Sequence, residues 1–203
     1  MEAYLFSFAV PYLAAAIAVG VLLRRAGMNI SKRPGVLIVA VVPLMIILLP
    51  VKHVPMARFL AGFNANFSIT LAVLLFCCLL RKIRGVSLLD RRAVRTIAVF
   101  GLVLGLFLYP CSMNLVPFDL YRFGWGSVFL LAPLFFLTVF LILTGNRAGY
   151  VLAACVAAYA LRLLESDNLW DYLVDPFLVS WCALTSIAEC LSRVRSLLQR
   201  AGE

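Results

Sequence analysis

The chain has 203 residues, 65% of them hydrophobic and 13% charged, with a formal net charge of +9. A soluble domain is about 45–50% apolar and about 25% charged, so a water-soluble core of this length cannot hide the apolar surplus, and lipid must solvate much of it. These totals exclude a separate soluble domain and read the basic excess as Lys/Arg gathered in cytoplasmic loops, not as a nucleic-acid footprint.

The first charge-free run, 3–23, exceeds the roughly 20 residues needed to cross a bilayer as helix. A secretory leader opens with a basic region, whereas Glu2 alone precedes this run, which is therefore expected to be a mature span. Its small residues (Ala14, Ala15, Ala16, Ala18, Gly20) suit close helix packing. A basic segment with Arg24, Arg25, Lys32 and Arg33 follows, then a shorter span at 35–51 carrying Pro43. Lys52, His53 and Arg58 form a brief connection to a third span at 59–80, whose first half holds Asn64, Asn66, Ser68 and Thr70. Amides in lipid need partners, so this face is expected to look inward, with Asn64 and Asn66 bonding other helices or a solute.

Segment 81–95 is the most basic loop, with six Lys/Arg against Asp90 alone. The fourth span is expected at 96–113, with Pro110 ending or kinking it and Gly101 and Gly105 forming a GxxxG packing signal. A fifth follows at 124–144, before a tight Gly145-Asn146 turn. The last two spans, 148–164 and 176–191, are short enough that a re-entrant pair is the alternative to crossing. Segment 192–203 reads as a short basic cytoplasmic tail. The expected fold is thus a single transmembrane domain: an all-α, polytopic integral membrane helix bundle of seven transmembrane helices.

Charge fixes its orientation. With the N-terminus outside and the C-terminus inside, the inner segments 24–34, 81–95, 145–148 and 192–203 hold 14 Lys/Arg, and the outer segments hold Lys52, Arg58 and Arg122. Arg162 lies near a boundary.

That orientation puts two unusual stretches on one outer face: 109–125 (YPCSMNLVPFDLYRFGW) and 165–176 (ESDNLWDYLVDP). Asp119, Tyr121, Arg122 and Trp125 come from the first, and Glu165, Asp167, Asn168, Trp170, Asp171, Tyr172 and Asp175 from the second. Trp and Tyr offer flat faces on which a sugar can stack, while Asp, Asn and Arg supply directional hydrogen bonds, which suits a glycan, a polar lipid headgroup or a partner protein. An interfacial aromatic belt is the structural alternative. DNLWD lacks the alternating acids and central Gly of an EF-hand loop, so no metal site is expected.

Several charged pairs read as structural. Arg162 with Glu165, Asp119 with Arg122 and Glu189 with Arg193 have helical spacing. Glu189 is the most membrane-embedded acid, which also makes it a candidate proton or ion relay. His53 is the single histidine and has no acid beside it, so a dyad with Ser68 or Ser112 would have to assemble from distant segments. The cysteines Cys77, Cys78, Cys111, Cys155, Cys182 and Cys190 form no CxxC pair and imply no disulfide framework, with Cys111 placed near the outer surface. HExxH, GxSxG and Walker motifs are absent from the sequence.

The expected function is a non-catalytic accessory or scaffold subunit of bacterial cell-envelope assembly, in the inner (cytoplasmic) membrane. It needs no cofactor and engages a membrane partner, or a second copy, through its outer face. Two other readings stay open. One is a small transporter or channel lined by Asn64, Asn66 and Glu189 and hinged at Pro43 and Pro133. The other is a membrane-embedded transferase with Asp119, Asp171 or Asp175 as acid or base.

Overall fold

The computed structural model describes residue 6 and residues 8–201 apart from 65, 114, 126 and 127; the outer edge of the first expected span (3–5 and 7) and the end of the tail (202 and 203) lie outside the described residues. Among the described residues the protein is all-α apart from one two-stranded ribbon. In chain order the elements are α1 (Ala9–Arg25), α2 (Arg33–Leu48), β1 (Pro50–Val51), β2 (Val54–Pro55), α3 (Met56–Phe63), α4 (Ile69–Arg84), α5 (Arg91–Ser112), a 3-10 turn (Tyr121–Gly124), α6 (Val128–Leu143), α7 (Ala148–Ala160), α8 (Leu169–Leu173) and α9 (Pro176–Ala201).

Local chemistry explains many of these limits. Asp90 caps α5 by accepting from Ala93 N at 3.4 Å, and Ser68 caps α4 by accepting from Leu71 N at 3.2 Å. Helices α1 and α6 end in Schellman turns, with Gly27 and Gly145 supplying the left-handed residue. Helix α7 ends the same way, with Arg162 N bonded to Tyr159 O and Leu163 N to Ala158 O. There the left-handed position falls on Arg162, at φ 51°, where a side chain is disfavoured. Between β1 and β2, Lys52 and His53 both take positive φ, as the two-residue loop of a type I′ hairpin requires, so His53 sits at an exposed tip.

Helix α4 is the central element. It packs against α1, α7, α8 and α9; α1 also packs on α2, α5 runs along α9, and α6 lies on α7. The main core joins residues of α4, α5, α7, α8 and α9, including Ile97, Val151, Leu169, Tyr172 and Leu178. A smaller core of Ala16, Ile30 and Val39 ties α1 and α2 to Leu79 and Ile83 of α4.

Several expected boundaries shift. The third expected span, 59–80, is broken: α3 stops at Phe63, Asn64 is extended, and α4 starts only after Ser68. Asn64 Oδ1 accepts from Asn66 N at 3.3 Å, a local bond that competes with helix, and the Ser68 cap restarts the chain. The fourth begins earlier than 96, at Arg91, because Asp90 caps it there; Pro110 remains within α5, which runs on to Ser112. The seventh span and the tail, expected to be separate, form one 26-residue helix, α9. Within it the Glu189 carboxylate turns sideways to Arg95 of α5, at 3.0 Å, and not to Arg193 as its helical spacing suggests. The Arg162–Glu165 helical pair does not form, because α7 ends at Ala160. Asp119 accepts from Tyr121 N at 2.9 Å and forms no ion pair with Arg122. Cys111 is buried.

Among the described residues, two helical segments are long and apolar enough to cross a membrane: Arg91–Ser112 and Pro176–Ser196. The apolar helices α2, α6 and α7 are shorter, at 16, 16 and 13 residues.

Cross-contacts gather the basic segments at one end of the bundle. An Arg24 guanidinium donates to Lys82 O, Arg92 donates to Thr144 O at 3.3 Å, and Arg147 donates to Ser87 O and Leu88 O at 3.3 and 2.9 Å. Asn146 Nδ2 donates to Thr96 Oγ1 at 2.8 Å, and Arg95 meets Glu189 at the same end.

Candidate functional site

At the opposite end the two aromatic-acidic stretches meet. The first enters after α5 and closes into the 3-10 turn; the second leaves α7, makes α8 and enters α9. Their contact point is Gly124, where a Cβ would lie 1.7 Å from Asn168 Oδ1 and 2.6 Å from Trp170 Cδ1, so only glycine lets the loops touch.

The seam is a set of directed hydrogen bonds. Tyr121 OH donates to the Asp171 carboxylate, 2.8 Å from both oxygens. Asn168 Nδ2 donates to Tyr121 O and Trp170 Nε1 donates to Leu120 O, each at 3.0 Å. Asn168 Oδ1 also accepts from Trp170 N at 3.0 Å, which caps α8. Burial, then the bond to Asp171 and its negative charge, push the Tyr121 phenol above its ordinary pKa of 10. Tyr172 is pushed up as well, by burial first and by the charges of Asp167 and Asp171 in lesser part.

Asp175 lies deeper, 2% exposed. One oxygen accepts from Phe177 N and Leu178 N at 2.8 and 3.0 Å and caps α9 just ahead of Pro176. The other accepts from Ser68 N at 2.8 Å and from the Ser68 hydroxyl. This carboxylate therefore sits where the N-termini of α4 and α9 meet, and both helix dipoles favour its charge. Asn64 Nδ2, Asn66 Oδ1 and Tyr109 OH are buried without hydrogen-bond partners.

Above the seam is an open cavity of about 410 Å³, lined by Trp125, Tyr159, Arg162, Ser166, Asp167 and Tyr172, with Ala160 between. Tyr159, half-buried, is its aromatic wall, and the fully buried Tyr172 backs that ring edge to face at 5.3 Å. The Tyr172 hydroxyl is held by Leu164 N, Leu164 O and Ser166 O, so this ring is a buried brace and not a free donor. Trp125 is 59% exposed and stands edge-on to Tyr121 at 6.5 Å. Arg162, Asp167 and Trp125 are the exposed lining groups, a cation, an anion and an indole at one mouth.

Of the residues singled out from the sequence, Trp125, Asp167 and Tyr172 line this cavity. Tyr121, Asn168, Trp170 and Asp171 build the seam beneath, Asp175 joins two helices, and Asp119 and Arg122 lie exposed on the first of the two stretches. Asn64 and Asn66 lie in the break before α4, and Glu189 is at the basic end. Tyr159 and Ser166 line the cavity although the sequence does not single them out, and Arg162, whose spacing to Glu165 favours a structural ion pair over a catalytic role, lines it too. Tyr159 and Arg162 are three apart at the close of an otherwise small-residue helix, which was the available signal. The hydroxyls of Ser68 and Ser112 donate to Asp175 and to Tyr109 O, so neither turns to His53. Among the described residues no three of His, Cys, Asp and Glu come together as a metal site.

The lining can stack a ring and bond a polar or zwitterionic group. No protein-family model, curated protein or solved structure matches the chain.

Proposed function

We propose that the chain is a seven-span integral membrane protein, N-terminus out and C-terminus in, that acts as a non-catalytic accessory or scaffold subunit of cell-envelope assembly. Its outer cavity recognises a sugar or polar lipid headgroup. The observation that carries the recognition reading is the joint lining by Trp125, Arg162 and Asp167 beside Tyr159, whose ring the buried Tyr172 holds from behind. An aromatic face with a cation and an anion beside it suits a hydroxyl-rich or zwitterionic ligand at a membrane surface.

Membrane residence is supported by how the apolar side chains face. Phe129, Phe135, Phe136 and Phe140 of α6 are 61–81% exposed, and Leu106 and Phe107 of α5 and Leu184 of α9 are 64–68% exposed. A soluble protein does not leave such a surface to water. Only 33% and 11% of the apolar windows of α5 and α9 are buried, the opposite of a soluble core helix. The short α7 buries Gly149, Val151, Leu152, Cys155 and Ala158 in the protein, and a span shorter than the bilayer is accommodated by local thinning of the lipid.

The test is ligand binding to the full chain in detergent, read by Trp fluorescence against a panel of glycans and short-chain lipids. Saturable binding that is lost in Trp125→Ala and in Asp167→Asn, with folding intact, is the expected result. A panel with no binder, or binding indifferent to both substitutions, overturns the recognition reading.

A further inference from the structure

At the basic end, opposite the outer cavity, an apolar groove adjoins a charged mouth. The groove, about 300 Å³, runs between α4, α5 and α9 and is lined by Leu71, Leu74, Leu75, Cys78, Val94 and Trp181. The mouth, about 790 Å³, is lined by Arg81, Arg91 and Arg95, with Ser87, Asp90 and Glu189. Arg81, Ser87, Leu89 and Val94 line both, so the two spaces adjoin.

The charges at the mouth are unequally satisfied. Arg95 donates to Glu189 Oε2 through Nε and Nη2 at 3.1 and 3.0 Å, which neutralises that pair. Asp90 is turned to Ala93 N as the cap of α5. Among the described residues neither Arg81 nor Arg91 has an ion-pair partner. Two guanidiniums therefore face one space at the head of a slot with the chemistry of a hydrocarbon chain.

We propose that this groove is a binding site for an anionic phospholipid of the surrounding leaflet. The phosphate sits between Arg81 and Arg91, and one acyl chain lies along Leu71, Leu75 and Trp181. Guanidinium suits this task because its planar fork meets two phosphate oxygens at once. Basic pockets between helices at the cytoplasmic boundary are suited to anionic headgroups. A lipid also fills a packing gap: α4 and α9 touch only lightly along a groove that is otherwise open on its apolar side. The site is independent of the outer cavity and rests on the membrane reading alone.

The test is native mass spectrometry of the full chain in mild detergent, titrated with phosphatidylglycerol or with phosphatidylcholine of the same acyl chains. Phosphatidylglycerol is expected to bind with a stoichiometry of one and in clear preference to phosphatidylcholine. Arg81→Gln with Arg91→Gln is expected to weaken it about 30-fold, from about 1 kcal/mol per basic residue at a membrane surface. Cys78→Trp, which fills the groove and leaves the charges in place, is expected to weaken it too, and it keeps the test open if the double arginine variant fails to fold. Equal binding of the two lipids, or unchanged binding in the double variant, overturns the proposal. Full competition by millimolar inorganic phosphate with Cys78→Trp without effect would instead mark a free-phosphate site and overturn it. Recovery of the chain as a monodisperse species without detergent would sink the membrane reading, separately from any lipid preference.

Discussion

Asp175 shows what one carboxylate can hold together. It accepts from Phe177 N, Leu178 N, Ser68 N and the Ser68 hydroxyl, joining two helix starts 107 residues apart in sequence. Asp175→Ala leaves these donors buried without an acceptor and is expected to destabilise the fold by about 3 kcal/mol, counting a lost cap and unsatisfied amides. Thermal unfolding in detergent checks this, and Ser68→Ala, which removes one donor and the α4 cap, is expected to cost less. The sequence made Asp175 visible as an acid ahead of Pro176, but its four partners depend on how α4 and α9 converge, which no local pattern encodes. Tyr121 contributes, with Tyr172, to the alkaline pH dependence. Its folded pKa is raised above the ordinary 10, by burial and by Asp171, so the folded state holds the proton more tightly than the unfolded chain. The contribution is therefore fully present below about pH 10 and falls away as pH rises above it. Tyr121→Phe is expected to cost about 1–2 kcal/mol at neutral pH, by leaving Asp171 without its donor, and to flatten the alkaline loss of stability. An alkaline decline of the same steepness in the variant would contradict this assignment.

At the scale of elements, the contact between α5 and α9 is set by glycine. A Cβ at Gly101 would lie 2.7 Å from Cys182 Sγ, and one at Gly105 would lie 2.5 Å from Val179 Cγ1. The GxxxG spacing signalled close packing, and the structure identifies α9 as the partner. Gly105→Leu is expected to push the two helices apart and lower the unfolding temperature, because overpacking costs about 1–3 kcal/mol. Val179→Ala in the same chain removes the two γ carbons nearest that Cβ but leaves Val179 Cβ 3.2 Å away, and is expected to restore part of the loss; absence of any rescue would place the strain elsewhere. Apolar run length located most helices but not the gap between α3 and α4. Phe59 to Leu80 contains no charge, and hydropathy does not register that Asn64 and Ser68 bond the backbone locally and split the run. Glu189 shows the opposite limit: the span expected at 176–191 already runs past it, but its partner is Arg95 on the neighbouring helix and not Arg193, and α9 continues unbroken through the tail.

The whole molecule has two chemically opposed ends, and this polarity was written in the charge distribution before any helix was placed. Arg24, Arg92, Arg95 and Arg147 cross-link the basic segments at one end, while Tyr121, Asn168 and Trp170 close the aromatic seam at the other. What composition could not convey was which outer residues face a cavity and which are buried as struts, since both classes are Asp, Asn, Tyr and Trp. The proposed orientation follows from the Lys/Arg bias, and it can be tested without a ligand. Cys78 and Cys190 are the exposed native thiols among the described residues, so Cys78→Ser with Cys190→Ser gives a quiet background. In intact cells a membrane-impermeant maleimide is expected to label Asp167→Cys at the cavity mouth and to leave Ser87→Cys at the basic end unlabelled. After lysis both should react, since both positions are exposed. Labelling of Ser87→Cys alone in intact cells would invert the topology and place the cavity on the inner face. Labelling of both before lysis would show that the two ends share one compartment, which a membrane-spanning bundle of this polarity does not permit.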